Sequence, residues 1–223
     1  MKCYLIGLLS MLSVHAAMGQ QAIDVHCHNI LPTFKELLDR HGATLEETFP
    51  LPDWDVASHL KFMKEAGIET SVLSMPAPQP WFGDAEESRR AVRQYNETCS
   101  RLKADYPGKF LFCASLPLPD VDAAIKEAVY VLDTLGADGI KLHLLHVLSG
   151  TDLAEDYAAG NFETMTLDAY LSVLEDCLRV LPRELVIHRM TGDGAKRSLI
   201  APMWSADKKR VLNALNRRFL SDD

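Results

Sequence analysis

The feature that most constrains this chain is an alternation of short apolar runs with helical patterns. Runs rich in β-branched and aliphatic residues occupy 22–27, 69–75, 109–116, 139–145 and 184–189. Between them lie stretches with helical spacing and helix punctuation. The pattern over 33–41 (Phe34, Leu37, Leu38) stops at Gly42. The next begins at Asp55, a candidate N-cap, sets Val56, Leu60 and Met63 on one face, and closes at Gly67. A long polar-faced helix is predicted over 85–106, with Ala91, Tyr95, Thr98 and Leu102 toward the core. Others are predicted over 120–135 and, at the end of the chain, over 206–220. Strands separated by helices call for crossover connections between parallel strands, which makes the fold class α/β.

The first run ends in Asp24-Val25-His26-Cys27-His28, a D-x-H-x-H pattern. Side chains alternate along a strand, so Asp24, His26 and His28 are expected on one face. Asn29 and Pro32 end the strand, which leaves both histidines at its C-terminal lip, where parallel α/β folds carry their chemistry. Two imidazoles side by side suit a divalent metal, with zinc the first expectation and manganese the alternative. The competing reading is a half-buried strand with two incidental histidines.

The remaining chemistry is sparse. With formal net charge −8 and no basic stripe, nucleic acid and anionic membranes are not expected partners. Residues 1–19 read as a cleavable secretory signal: Lys2, an apolar run over 4–14, and the small residues Ala17 and Gly19 before Gln20. That signal implies a secreted or periplasmic protein with no membrane span in the mature chain. Past it, Cys27, Cys99, Cys113 and Cys177 are widely and irregularly spaced, so no iron–sulfur cluster is expected. Cys113 reads as a core residue. The Pro-rich loop 76–80, running into Trp81-Phe82-Gly83, reads either as a substrate wall or as a plain connection. On the fourth run Lys141, His143 and Leu145 share one face and His146 the other, so one of those two histidines is expected to face inward. His188 takes a strand-terminal position like that of a metal ligand. Asp193 reads as a turn residue, and Arg189 and Lys208-Lys209-Arg210 as solvated charge.

From Ile23 to about Leu142 the chain resembles the metal-dependent amidohydrolase-related family that includes aminocarboxymuconate-semialdehyde decarboxylase and benzoate-type decarboxylases. The residues that carry this are the D-x-H-x-H segment, HLKFMKEAGI at 59–68, FCASLPLPD at 112–120 and LGADGI at 135–140. The resemblance implies a (β/α)₈ barrel and a metal held by His26 and His28. The family's second catalytic histidine and its late aspartate have no counterpart in this sequence. From about Gly139 the chain is similar instead to the C-terminal half of a radical S-adenosylmethionine family, through GIKLHLLHVLSGT at 139–151, LVIHRMTGDG at 185–194 and LIAPMWS at 199–205. The three cluster cysteines of that family are absent.

The expected organisation is therefore a signal at 1–19, the N-terminal part of an amidohydrolase-type barrel at 20–141, and a C-terminal α/β module at 142–223. The expected fold is a partial or hybrid TIM-barrel-like parallel sheet with fewer than eight strands, since a closed barrel takes eight strands in about 250 residues. His26, His28 and His188 are the candidate metal ligands, with His143 the candidate substrate contact. The expected function is hydrolysis or non-oxidative decarboxylation of a small carboxylate. The alternative is an inactive fused remnant or binding module. A homo-oligomer is left open.

Overall fold

In the computed structural model all five apolar runs become strands, and most of them end sooner than the runs do. The structure describes residues 22–43, 45–46, 49–192 and 194–219; the signal-like segment 1–19 and Asp193 lie outside the described residues. By its contacts the chain divides into two units, one running to Ala137 and the other beginning at Asp138.

The first unit holds a parallel sheet of β1 (Ala22–His28), β4 (Ile68–Ser74) and β5 (Phe110–Phe112), in that order. Its pairing sets His28 opposite Ser74 and Leu73 opposite Phe112. A two-residue antiparallel pair, β2 (Leu45–Glu46) with β3 (Phe49–Pro50), sits in the connection after the first helix. The helices are α1 (Pro32–Arg40), α2 (Val56–Ala66), α3 (Ala85–Asp105) and α4 (Val121–Tyr130). α4 runs on through a wide π-turn, Val131–Leu135. Asp55 caps α2 by accepting the Ser58 N–H at 2.9 Å, and Gly67 ends it in the left-handed region at φ 69°. The core gathers Leu37, Leu38, Met63, Leu73, Phe110 and Phe112, all at most 2 % exposed. Each such side chain contributes about 1.5–3 kcal/mol relative to an exposed one.

Two expectations are corrected here. On α3, Ala91, Tyr95 and Leu102 of the expected stripe do pack on the core, but the most buried positions are Ser88, Val92, Tyr95, Asn96 and Cys99, and Thr98 instead donates to Gln94 O. Both stripes pass through Tyr95, and a rotation of one residue separates them. The third run stops as a strand at Phe112 because side chains take over from the ladder. Cys113 N–H still donates to Leu73 O, but Ser115 N–H donates to the Asn96 side chain at 2.8 Å.

The second unit pairs β6 (Gly139–Lys141) in parallel with β8 (Val186–Arg189), and β7 (Val147–Leu148) antiparallel with β9 (Leu199–Ala201). Helices α5 (Asp152–Ala158), α6 (Leu167–Val180) and α7 (Lys208–Phe219) complete it. Its core joins Leu144, Tyr170, Leu171 and Leu174 to Val211, Ala214 and Leu215. The fourth run ends as a strand at Lys141. Leu142 N–H donates to Arg189 O, β8 stops at that same residue, and no ladder partner remains beyond it. The architecture is thus a partial parallel α/β one, three strands in one unit and two in the other, with short antiparallel pairs added. No described helix is long and apolar enough to cross a membrane.

Candidate metal centre

β1 brings the two histidines together as alternation requires. His26 Nε2 and His28 Nε2 stand 3.1 Å apart, with ring centroids at 4.8 Å and planes nearly perpendicular. Both side chains lie on exposed positions of the strand. β4 fixes the second ring: His28 Nδ1 lies 3.3 Å from Ser74 O and 3.4 Å from Ser74 Oγ. A carbonyl only accepts, so His28 Nδ1 carries the proton and its Nε2 presents a lone pair. In the neutral pair His26 Nε2–H therefore donates to His28 Nε2. A backbone carbonyl behind a ligating imidazole is the usual device for fixing the tautomer of a metal ligand.

This geometry fits a metal. At metal–nitrogen distances of about 2.0–2.1 Å, nitrogens 3.1 Å apart subtend roughly 95–102°, between octahedral and tetrahedral angles. Asp24, expected on the same face, is engaged otherwise. Its Oδ1 accepts from His26 N–H at 3.1 Å, and its charge is felt at Cys27 and His59. A register shift between Asp24 and Cys27 breaks the strict alternation there.

A second polar cluster sits behind the strand. Cys27 Sγ lies 3.7 Å from Nε2 of buried His59, which also meets Ser71 Oγ at 3.2 Å. Trp54 Nε1–H donates to His59 Nδ1 at 3.0 Å. An indole N–H only donates, so neutral His59 carries its proton on Nε2. Burial pushes the His59 imidazole below its ordinary value, with the Asp24 carboxylate opposing. Burial, then Asp24, pushes the Cys27 thiol up to about 11. A protonated thiol beside a neutral imidazole is not an activated nucleophile. The cluster instead anchors Cys27, and with it the strand that displays His26 and His28. Sequence reasoning gave these residues no site role. The signal for His59 was available: it falls on the apolar stripe of α2, three residues after Val56 and four before Met63.

The other expected site residues belong to the second unit. His188 lies on β8 and lines a cavity with Arg189. The alternation expected for His143 and His146 fails, because the strand has ended at Lys141. A Cβ on Gly192 would sit 3.4 Å from His143 Nδ1 and 3.7 Å from His146 Cε1, so both rings flank that glycine. Within the first unit, the described residues add no third His, Cys, Asp or Glu that would make the pair a three-ligand group. In the loop after β4, Pro76 and Pro80 are buried, and Phe82 stacks on His41 at 4.2 Å.

Comparison with known proteins gives two family matches that overlap over residues 137–176. The amidohydrolase family model matches residues 23–176, and the Radical_SAM C-terminal domain model matches 137–220. Among curated relatives, protein YtqA of Bacillus subtilis (strain 168) is 43% identical over 102 residues, covering 46% of this chain and 31% of its own length. The 6-methylsalicylic acid decarboxylase of Penicillium expansum is 32% identical over 122 residues, 54% of this chain and 37% of its own. A crystal structure described as amidohydrolase II superposes with a TM-score of 0.53 at 28% identity, over 68% of this chain and 47% of that one. The chain thus spans about a third of the length of these curated relatives.

Proposed function

The chain belongs to the amidohydrolase family, and from that we propose that it carries the first-strand half of a metal-dependent carboxy-lyase site, with His26 and His28 as ligands. The observation that carries this is the Nε2 pair at 3.1 Å with His28 held from behind by Ser74 O. A divalent ion held there, zinc or manganese, supplies Lewis acidity toward a carboxylate. The chain's own contribution is to bring the two Nε2 atoms to one point, with His26 moving its proton to Nδ1 when it ligates, and to keep the strand beneath them in place. The decarboxylase relatives favour non-oxidative loss of carbon dioxide from a small hydroxybenzoate, such as 6-methylsalicylic acid, over hydrolysis. His143 and His188 are proposed ligand contacts of the second unit.

A second reading, a metal-binding module without turnover, is favoured by one observation. The described residues of the first unit supply two ligands, whereas catalytic zinc usually takes three from protein. One pair of measurements separates the readings. Metal content of the purified full chain is compared with that of the His26→Ala/His28→Ala variant, and carbon dioxide release is followed with 6-methylsalicylate. Near-stoichiometric metal lost in the variant, together with metal-dependent release, supports the carboxy-lyase. Bound metal without release supports the binding module, and no metal in either protein refutes both.

A further inference from the structure

The residues on either side of His28 are fastened to two different helices. Cys27 meets His59 of α2, as described above. Asn29, the first residue past β1, is 0% exposed, and both ends of its side-chain amide are bonded to α3. Its Oδ1 accepts the Tyr95 hydroxyl, and its Nδ2 donates to Cys99 Sγ at 3.4 Å. Tyr95 and Cys99 are one turn apart on the buried face of α3, so both can reach the same amide. Burial, then Cys99, pushes the Tyr95 phenol well above its ordinary value, and burial raises the Cys99 thiol to about 11, so both groups keep their protons.

Tyr95 and Cys99 belong to the same core cluster as Leu31, Phe34, Leu37 and Leu38. Replacing both partners of a buried hydrogen bond by apolar groups of the same shape costs little or no stability, because the net gain from such a bond is small. What the amide adds is direction. Two hydrogen bonds orient its plane, and through it the backbone next to His28. From the side, His28 is tied to Ser74 both through its ring and through strand pairing. His28 is thus held from β4, while its two neighbours are held from α2 and α3.

We infer that Asn29, clamped by Tyr95 and Cys99, is a positioning residue for the histidine pair: it fixes the end of β1 so that His28 Nε2 meets His26 Nε2 at a separation one metal ion can span. The three residues act through the backbone of β1 and are not ligands themselves. The inference rests on the reading of His26 and His28 as metal ligands.

The test is an Asn29→Leu/Tyr95→Phe variant of the full chain, which removes both polar partners together and leaves an apolar core of nearly the same shape. It should unfold in urea close to the wild-type midpoint. The histidine ring nitrogens are then followed by NMR in the metal-free protein, and zinc affinity by competition with a chelator. In the wild type the His28 signals should be those of one tautomer, protonated at Nδ1. In the variant they should move toward the tautomer average of a free imidazole, and zinc should bind roughly ten-fold more weakly, the lower end of what loss of an outer-shell partner costs. Tyr95→Phe alone should act in the same direction and serves should the double variant fail to fold. Glu127→Gln, whose carboxylate pairs with Arg93 and Asn96, should lower the urea midpoint but leave the ring signals and zinc affinity as in the wild type. Unchanged His28 signals or unchanged zinc affinity in the clamp variants overturns the inference, as does an equal change in Glu127→Gln. Should the wild type itself take up no zinc, the metal reading of the pair fails, and the ring signals still decide for or against the clamp.

Discussion

Replacing Trp54 with Phe tests whether the cluster behind the first strand works as deduced. The indole N–H donates to His59 Nδ1 at 3.0 Å, and His59 is only 9% exposed. Phenylalanine keeps most of the ring and removes the donor, leaving a buried nitrogen unpaired at a cost of about 1–3 kcal/mol. With 2 kcal/mol and a urea m-value of about 2 kcal/mol/M, the unfolding midpoint should drop by roughly 1 M at pH 7.5. The pH dependence makes the test specific. Burial lowers the folded pKa of His59 below its ordinary 6.5, so in acid the unfolded chain takes up a proton that the folded chain refuses. That contribution to stability is complete above the unfolded value and declines as pH falls below it. In the wild type, protonating Nδ1 would also set two donors head to head. The variant has no such clash, so its deficit should shrink between pH 7.5 and pH 5. Urea titrations at both pH values decide the matter. An equal or larger deficit in acid would refute the tautomer assignment.

Two further outcomes follow from other buried groups. Glu127, 5% exposed, accepts from Arg93 Nε and Nη2 at 2.9 and 2.7 Å and from Asn96 Nδ2 at 2.8 Å. Glu127→Gln should cost about 2 kcal/mol in urea unfolding with an unchanged m-value, less than the 3–5 kcal/mol of a broken fully buried pair because water reaches Arg93. Iodoacetamide at pH 8 should leave Cys99 unlabelled in the folded protein and label it in urea, since the side chain is 0% exposed and burial raises its thiol to about 11; rapid labelling of the folded chain would show the core of α3 to be open.

What could be read ahead of the structure depended on the range of the forces involved. The five parallel strands were legible because each is a run of β-branched and aliphatic residues, although β1 and β8 stay largely exposed, and the ends of α2 because Asp55 and Gly67 act within one turn of it. α6 went unread although its signal was local: Thr166 followed by Leu167, Tyr170, Leu171 and Leu174 is a capped helix with one apolar stripe. The pairs β2–β3 and β7–β9 are two or three residues long, too short to show a period. Strand ends were illegible where a distant group decides them, as Asn96 does at Ser115 and the end of β8 does at Lys141. The nearness of the two strand histidines follows from a period of two. The groups that fix them do not, since Ser74 lies 46 residues from His28 and meets it only through β4.

That last contact bears on how much of a working site this chain needs. The group orienting His28 is the carbonyl of Ser74, which no side-chain substitution removes and which arrives whenever β1 pairs with β4 in the observed register. Cys27, between the two histidines, is held by His59 of α2. The direct contacts that set the imidazole pair therefore come from β1, α2 and β4, all within the passage from Ala22 to Ser74. Two aimed imidazoles on their own still fall short of the three protein ligands usual at catalytic zinc. Under the proposed function, metal capture and turnover are separable: the first rests on His26 and His28, both within this passage, and the second on whatever supplies the remaining ligand.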